Sequence, residues 1–222
     1  MAGLREENKA RRRSAILDAA IELLRTTDPK HLTTEQIATL AGVSHATVFN
    51  LIGTRDQLLQ ALIDRVLFGV VESLVELDAH TGGDPIAAAR LIIDHSVEAF
   101  SSESQVFRRV IASLGSSGRL AELPAFDPAL LQVAAIREAQ ERGIIAEEFN
   151  AAGLGRQIFL SYLGAVRSWA VGQLDDRGFL TAARHGLISI LAATATDDHR
   201  DGFREELRLL MNELAVADPI AR

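Results

Sequence analysis

The chain has 222 residues, 48% apolar and 24% charged, enough to bury a sizeable core in one large domain or in a small domain joined to a larger one. A formal charge of −7 excludes a uniformly basic nucleic-acid coat, and the absence of cysteine excludes disulfides, thiolate zinc sites, iron–sulfur clusters and cysteine nucleophiles. The charge is uneven: residues 1–55 hold eight basic and six acidic side chains, net plus two, and the remainder is minus nine.

The lack of cysteine fits a reducing compartment, and the opening MAGLREENKARRRS has no apolar stretch of a secretory leader. The longest uncharged run, Gln36 to Thr54, is too rich in Thr, Ser, Asn, Gln and His to span a bilayer. A cytoplasmic protein with no membrane partner is the expectation.

In chain order, nearly every segment has helical period and the five prolines fall between segments, which predicts an all-α fold. The first helix is expected from about Ser14 to Arg25, with Ile16, Ala19, Ala20, Leu23 and Leu24 as its apolar stripe. Thr33 stands three residues before Gln36, a capping box opening a short helix through Ile37, Ala38 and Leu40 that Gly42 breaks. Ser44 can cap the next short helix, Ala46 to Ile52. A second box, Thr54 to Gln57, starts a long helix through Leu58, Leu62, Val66, Val70 and Leu74 to about Asp78. Further helices are expected at about 85–101, 103–114, 128–142, 151–175, 178–196 and 200–216, with Gly115 to Pro128 the least regular stretch. The simplest partition is an N-terminal three-helix unit, 1–55, and a larger helical body, 56–222.

Two short helices joined around Gly42 have the proportions of a helix-turn-helix, although spacing alone equally allows an ordinary helical hairpin. The residues decide more than the spacing does. TTEQIATLAGVSHATVFNLIGTRDQLL resembles the DNA-binding segment of the tetracycline-repressor (TetR) family. Thr33, Ile37, Ala38, Ala41, Gly42, Val43, Ser44, Thr47, Leu58 and the first-helix Ile16, Leu17, Ala19 and Ala20 carry the likeness, which covers about a quarter of the chain. Phe49 stands where the family usually has Tyr, Leu51 where it has His, Arg55 where it has Lys and Ala46 where it has Gly. Phe49 thus keeps a ring without a hydroxyl, Leu51 loses a polar contact and Arg55 keeps a charge.

The resemblance implies an N-terminal helix-turn-helix DNA-binding domain on a helical ligand-binding and dimerisation domain, working as a homodimer on a palindromic operator of double-stranded DNA. Capped by Thr33 and Ser44, the reading pair offers His45, Ala46, Thr47 and Asn50 to base edges beside Phe49. Since the reading helix has no charge, phosphate attraction falls to Arg11, Arg12, Arg13 and Arg55.

In the larger body the resemblance implies a pocket for a small-molecule effector of apolar character. Leu62, Val66, Phe100, Phe107, Phe126, Tyr162 and Trp169 are candidate lining residues, with His95 and Arg109 as polar anchors. A segment apolar on two sides must be buried on two sides. Leu160, Leu163, Gly164, Val171 and Leu174, with Leu187, Ile190 and Leu191 of the next helix, could therefore lie inside one large monomer core, while the resemblance places the dimer interface there.

Neither an H-E-x-x-H, a G-x-S-x-G, a P-loop nor a G-x-G-x-x-G motif occurs. His95 and Glu98 make half a metal site without a second pair, and Asp175/Asp176 and Asp197/Asp198 sit at expected helix ends. No enzyme activity, cofactor or metal is expected. The reading is a TetR-like regulator, a ligand-responsive repressor; the alternative is a helical adaptor of the same fold that no longer reads DNA.

Overall fold

The computed structural model describes residues 2–81, 83–116 and 127–217. They form ten α-helices: α1 (Ala2–Leu24), α2 (Thr34–Ala41), α3 (His45–Leu51), α4 (Arg55–Thr81), α5 (Pro85–Ser101), α6 (Ser104–Ser116), α7 (Ala129–Glu141), α8 (Ala151–Ala170), α9 (Asp176–Thr194) and α10 (Asp197–Ala217). A 3₁₀ turn, Pro29–His31, lies between α1 and α2, and among the described residues the sole β-type pairing is the isolated bridge between Ile145 and Ala195.

Local chemistry sets most boundaries. The Thr33 hydroxyl accepts from the Gln36 amide while the Gln36 side chain accepts from the Thr33 amide, so both ends of the expected capping box are made. Thr54 and Gln57 exchange the same pair of bonds at the start of α4. Asp84, Asn150 and Asp175 cap α5, α8 and α9 through their side-chain oxygens. Gly42 ends α2 at φ +65, a left-handed conformation that glycine adopts without strain.

Two boundaries differ from the expectation. α1 begins at Ala2 rather than near Ser14, so the basic run is helical. Apart from Gly3 and Asn8, its residues up to Arg13 are Ala, Leu, Arg, Glu and Lys, good helix formers needing no apolar stripe, and Lys9 pairs with Glu6 one turn away. α8 stops at Ala170, short of Asp175: Gly172 takes φ +80 and Asp175 is already the cap of α9.

The chain divides into two compact units. The first comprises the described residues up to Arg65 and those of α6 from Gln105 on. α1, α2 and α3 pack on one another, and Ile16, Ala20, Leu24, Ile37, Val48, Leu58, Leu59 and Leu62 are buried there with Val106, Val110 and Leu114 of α6. The unit thus extends beyond Arg55 into α4 and recruits a helix remote in sequence. Arg109 of α6 donates to the Leu24 carbonyl at 3.3 Å, giving a cation to the open end of α1.

The second unit comprises residues from Val66 to Ser104 and from 127 on. α7 packs on α8, α8 on α9, α5 on α7 and α9, and α10 on α9. At its centre Trp169 stacks on Phe179 with centroids 5.0 Å apart, and Phe179 lies 5.9 Å from Tyr162. Asp94 of α5 receives two bonds from Arg184 of α9, at 2.7 and 2.6 Å, and Arg90 of α5 meets Glu206 of α10 at 2.5 Å. Asp94 holds the Arg184 guanidinium more firmly charged than usual.

α7 and α8 approach closely at Gly155, where a Cβ would stand 2.6 Å from the Val133 backbone nitrogen. Because that neighbour is backbone and cannot rotate away, Gly155→Ala should cost about 1–3 kcal/mol, measured by urea unfolding. An unchanged midpoint would contradict this helix contact.

Candidate functional site

α2 and α3 are held at both ends. Ser44 caps α3 by accepting from the Thr47 amide at 3.1 Å, and its hydroxyl lies 2.8 Å from that of Thr47. His45 Nε2 sits 2.7 Å from Thr34 Oγ1 and 3.5 Å from Glu35 Oε1, joining the first turns of the two helices. At the far end of α3, Arg13 of α1 donates to the Leu51 carbonyl at 2.8 Å.

With Val48 turned into the core, the outward face of α3 is His45, Ala46, Phe49 and Asn50. Phe49 is 59% exposed, a large ring in water. The Asn50 side chain makes no hydrogen bond among the described residues, so both its amide donors and its carbonyl are available, the set that pairs bidentately with adenine. Thr47 is half-buried and partly engaged in capping, and the Thr33 side chain is committed to its capping box.

The cations divide into committed and available ones. Arg13 is committed to Leu51, and Arg55 to the Lys30 carbonyl at 3.3 Å and to Asp56 at 3.3 Å. Arg11 bonds only its neighbour Asn8, at 3.0 Å, and Arg12 is exposed with no partner among the described residues. The 3₁₀ turn adds Lys30, paired at 3.7 Å with Asp28, and His31, both exposed, which the sequence reading did not single out. Asp28 caps that turn, and the Lys30 backbone amide holds its carboxyl below the usual carboxylate range.

In the second unit, a crevice lies among α4, α5, α7 and α8, lined by Leu67, Val70, Ile92, Ile93, Ser96, Pro128, Leu131, Gln132, Ile158, Phe159 and Tyr162. Its walls are apolar apart from Ser96, Gln132 and the Tyr162 hydroxyl. The Ser96 and Tyr162 hydroxyl oxygens are 2.5 Å apart, and burial pushes the Tyr162 hydroxyl pKa up.

Of the eight candidate lining and anchor residues among the described residues, only Tyr162 lines this crevice. Trp169 and Phe100 are buried in the core with centroids 6.5 Å apart, and Val66 and His95 are half-buried away from it. Leu62, Phe107 and Arg109 belong to the first unit, and Phe126 lies outside the described residues.

Among the dimer candidates, Leu160 and Val171 are 51% and 64% exposed and Gly164 is exposed. Leu163, Leu174 and Ile190 are half-buried. Leu187 and Leu191 are fully buried within the single chain and have no surface to offer a second copy.

No group of three or more His, Asp or Glu residues gathers to hold a metal among the described residues, and no described helix is long and apolar enough to cross a membrane.

Comparison with known proteins agrees with this geometry. Residues 16–62 match the bacterial regulatory proteins of the tetR family. No curated protein sequence matches. Among solved structures, the chain is similar to Thermus thermophilus FadR, a TetR-family transcriptional repressor in complex with lauroyl-CoA, at 22% identity and TM-score 0.63 over 81% of this chain and 93% of that one. It is also similar to SmeT, the repressor of the Stenotrophomonas maltophilia multidrug efflux pump SmeDEF, at 22% identity and TM-score 0.60 over 83% and 91%. A TetR transcription regulator from Haloarcula marismortui aligns at 21% identity and TM-score 0.64 over 83% and 98%. The two capped helices around Gly42 thus lie within the segment that matches the tetR family, and the chain carrying them has the fold of TetR-family transcriptional regulators.

Proposed function

We propose that the chain is a transcriptional repressor that binds a palindromic DNA operator as a homodimer and releases it when a small molecule enters the second unit. The observation that carries the reading is α3: capped, tied at its far end, and presenting an uncharged face whose Asn50 amide is unengaged. Phosphates are met by Arg11 and Arg12, with Lys30 and His31 of the 3₁₀ turn as additional donors, while Arg13 and Arg55 position the elements they touch.

Two copies pair through the outer face of α8, where Leu160 and Gly164 are exposed and Val171 follows the last turn. Paired reading helices enter successive major grooves about 34 Å apart. An effector changes operator affinity only through its differential affinity for the DNA-competent and incompetent arrangements.

The test is selection of oligonucleotides from a random pool by the purified protein. Enrichment of a palindrome is the expected result, with Asn50→Ala weakening binding to the selected site by about 1–3 kcal/mol at unchanged salt dependence. Failure to enrich any sequence at low salt would replace this reading with that of a helical adaptor.

A further inference from the structure

The crevice among α4, α5, α7 and α8 holds an unusual polar group. Gln132 is 2% exposed, and its side-chain nitrogen donates to the Ala89 carbonyl at 3.1 Å. That bond fixes which end of the amide is which, since the reversed amide would set two carbonyl oxygens against each other. The remaining atom, Gln132 Oε1, is buried and accepts no hydrogen bond from any described protein group. A buried acceptor left unmatched costs about 1–3 kcal/mol, so a ligand that brings a donor to it gains what the empty fold forgoes.

Two hydroxyls among the same lining residues supply the complement. Ser96 and Tyr162 share one hydrogen between their oxygens, so whichever hydroxyl accepts keeps its own hydrogen to donate elsewhere. Everything else lining the crevice is Leu, Ile, Val, Pro or Phe, and no Lys, Arg or His is among the lining residues. An anion entering such a site would lose its hydration with no cation to replace it.

Resting on the reading of the second unit as the effector-binding part, we propose that this crevice selects an uncharged, largely hydrocarbon ligand bearing a hydroxyl group, which donates to Gln132 Oε1. A hydroxyl is the smallest group that both donates to the amide oxygen and accepts from a spare hydroxyl hydrogen. The cavity volume is only about 30 Å³, so an unbranched chain, with the least cross-section, parts its walls most easily.

The test uses the full-length protein and three probes of matched length: 1-decanol, methyl nonyl ether and decanoate, the last above pH ~7 where it is ionised. Binding is read from Trp169, the chain's single tryptophan, stacked on Phe179 beside the Tyr162 wall, and from the shift in melting temperature. 1-Decanol is expected to bind about tenfold or more tightly than the ether, which accepts but cannot donate, and than decanoate. Gln132→Leu should abolish the preference for alcohol over ether while still binding both, and Ile158→Phe, which fills the crevice without adding a second tryptophan, should abolish binding of all three.

Equal affinity for alcohol and ether in the unaltered protein, tighter binding of decanoate, or no binding of any probe would each overturn the proposal. None of these titrations contains DNA, so failure here leaves the DNA reading standing, and failure to find an operator leaves the binding preference standing.

Discussion

Trp169→Ala is expected to remove about 3–5 kcal/mol from the stability of the second unit, the largest effect of any single truncation in this chain. The indole is fully buried, stacks on Phe179 and lies near Phe100, so its loss opens a cavity that three helices would have to collapse to fill. It also donates from Nε1 to Asp176 at 2.7 Å, and the other carboxylate oxygen of Asp176 accepts from Ser104 at 2.6 Å. Trp169→Phe separates the two contributions. It keeps most of the ring volume and loses the bond, and because Asp176 is exposed to water the cost of that loss should be about 1 kcal/mol. Denaturant unfolding followed by circular dichroism measures both. A loss below about 1 kcal/mol for the alanine variant would mean that the indole is not the centre of this core.

The second large effect concerns DNA. Replacing Arg11 and Arg12 together with alanine removes two available phosphate partners, so the salt slope of operator binding should fall by about 2 in magnitude. Between 50 and 200 mM salt the wild-type affinity would then drop roughly tenfold further than that of the variant, with sequence preference unchanged. Arg13→Ala should behave differently. Its guanidinium is bonded to Leu51, so the substitution frees the end of α3 and should lower the stability of the first unit as well as DNA affinity. Identical salt slopes for the Arg11/Arg12 double variant and wild type would place the phosphate contacts elsewhere, with Lys30 and His31 the next residues to change.

The sequence made the all-α class and the reading motif legible because both rest on local rules. The boxes at Thr33–Gln36 and Thr54–Gln57 and the cap at Ser44 need only residues three apart, and all three form. The helical state of Ala2–Arg13 was not legible from apolar periodicity, because that segment has no stripe and rests on propensity and pairs one turn apart. The recruitment of α6 into the first unit also escaped it, since nothing at Gln105–Ser116 marks which of two cores its apolar face will join.

The crevice was the least legible feature. Choosing aromatic residues as lining candidates favours side chains large enough to fill space, and Trp169 and Phe100 do so in the core. The actual walls are medium aliphatics such as Leu67, Ile92 and Ile158, which periodicity cannot distinguish from any packed interior. Leu187 and Leu191 show the same ambiguity on α9: periodicity alone leaves open whether such positions face a second copy or their own chain, and these two are buried within it.

The bond from Arg13 to the Leu51 carbonyl bears on how fast an operator can be found. A helix of seven residues is nearly all coil in isolation, because nucleation is costly and so few residues repay it. Here Ser44 secures one end and Arg13 the other, while Val48 anchors the middle. The reading surface is therefore ordered before any collision with a duplex, and a productive encounter does not wait for a coil to refold. Association should proceed at a rate set by diffusion and by steering from the unengaged arginines, with no slow unimolecular phase at high DNA concentration.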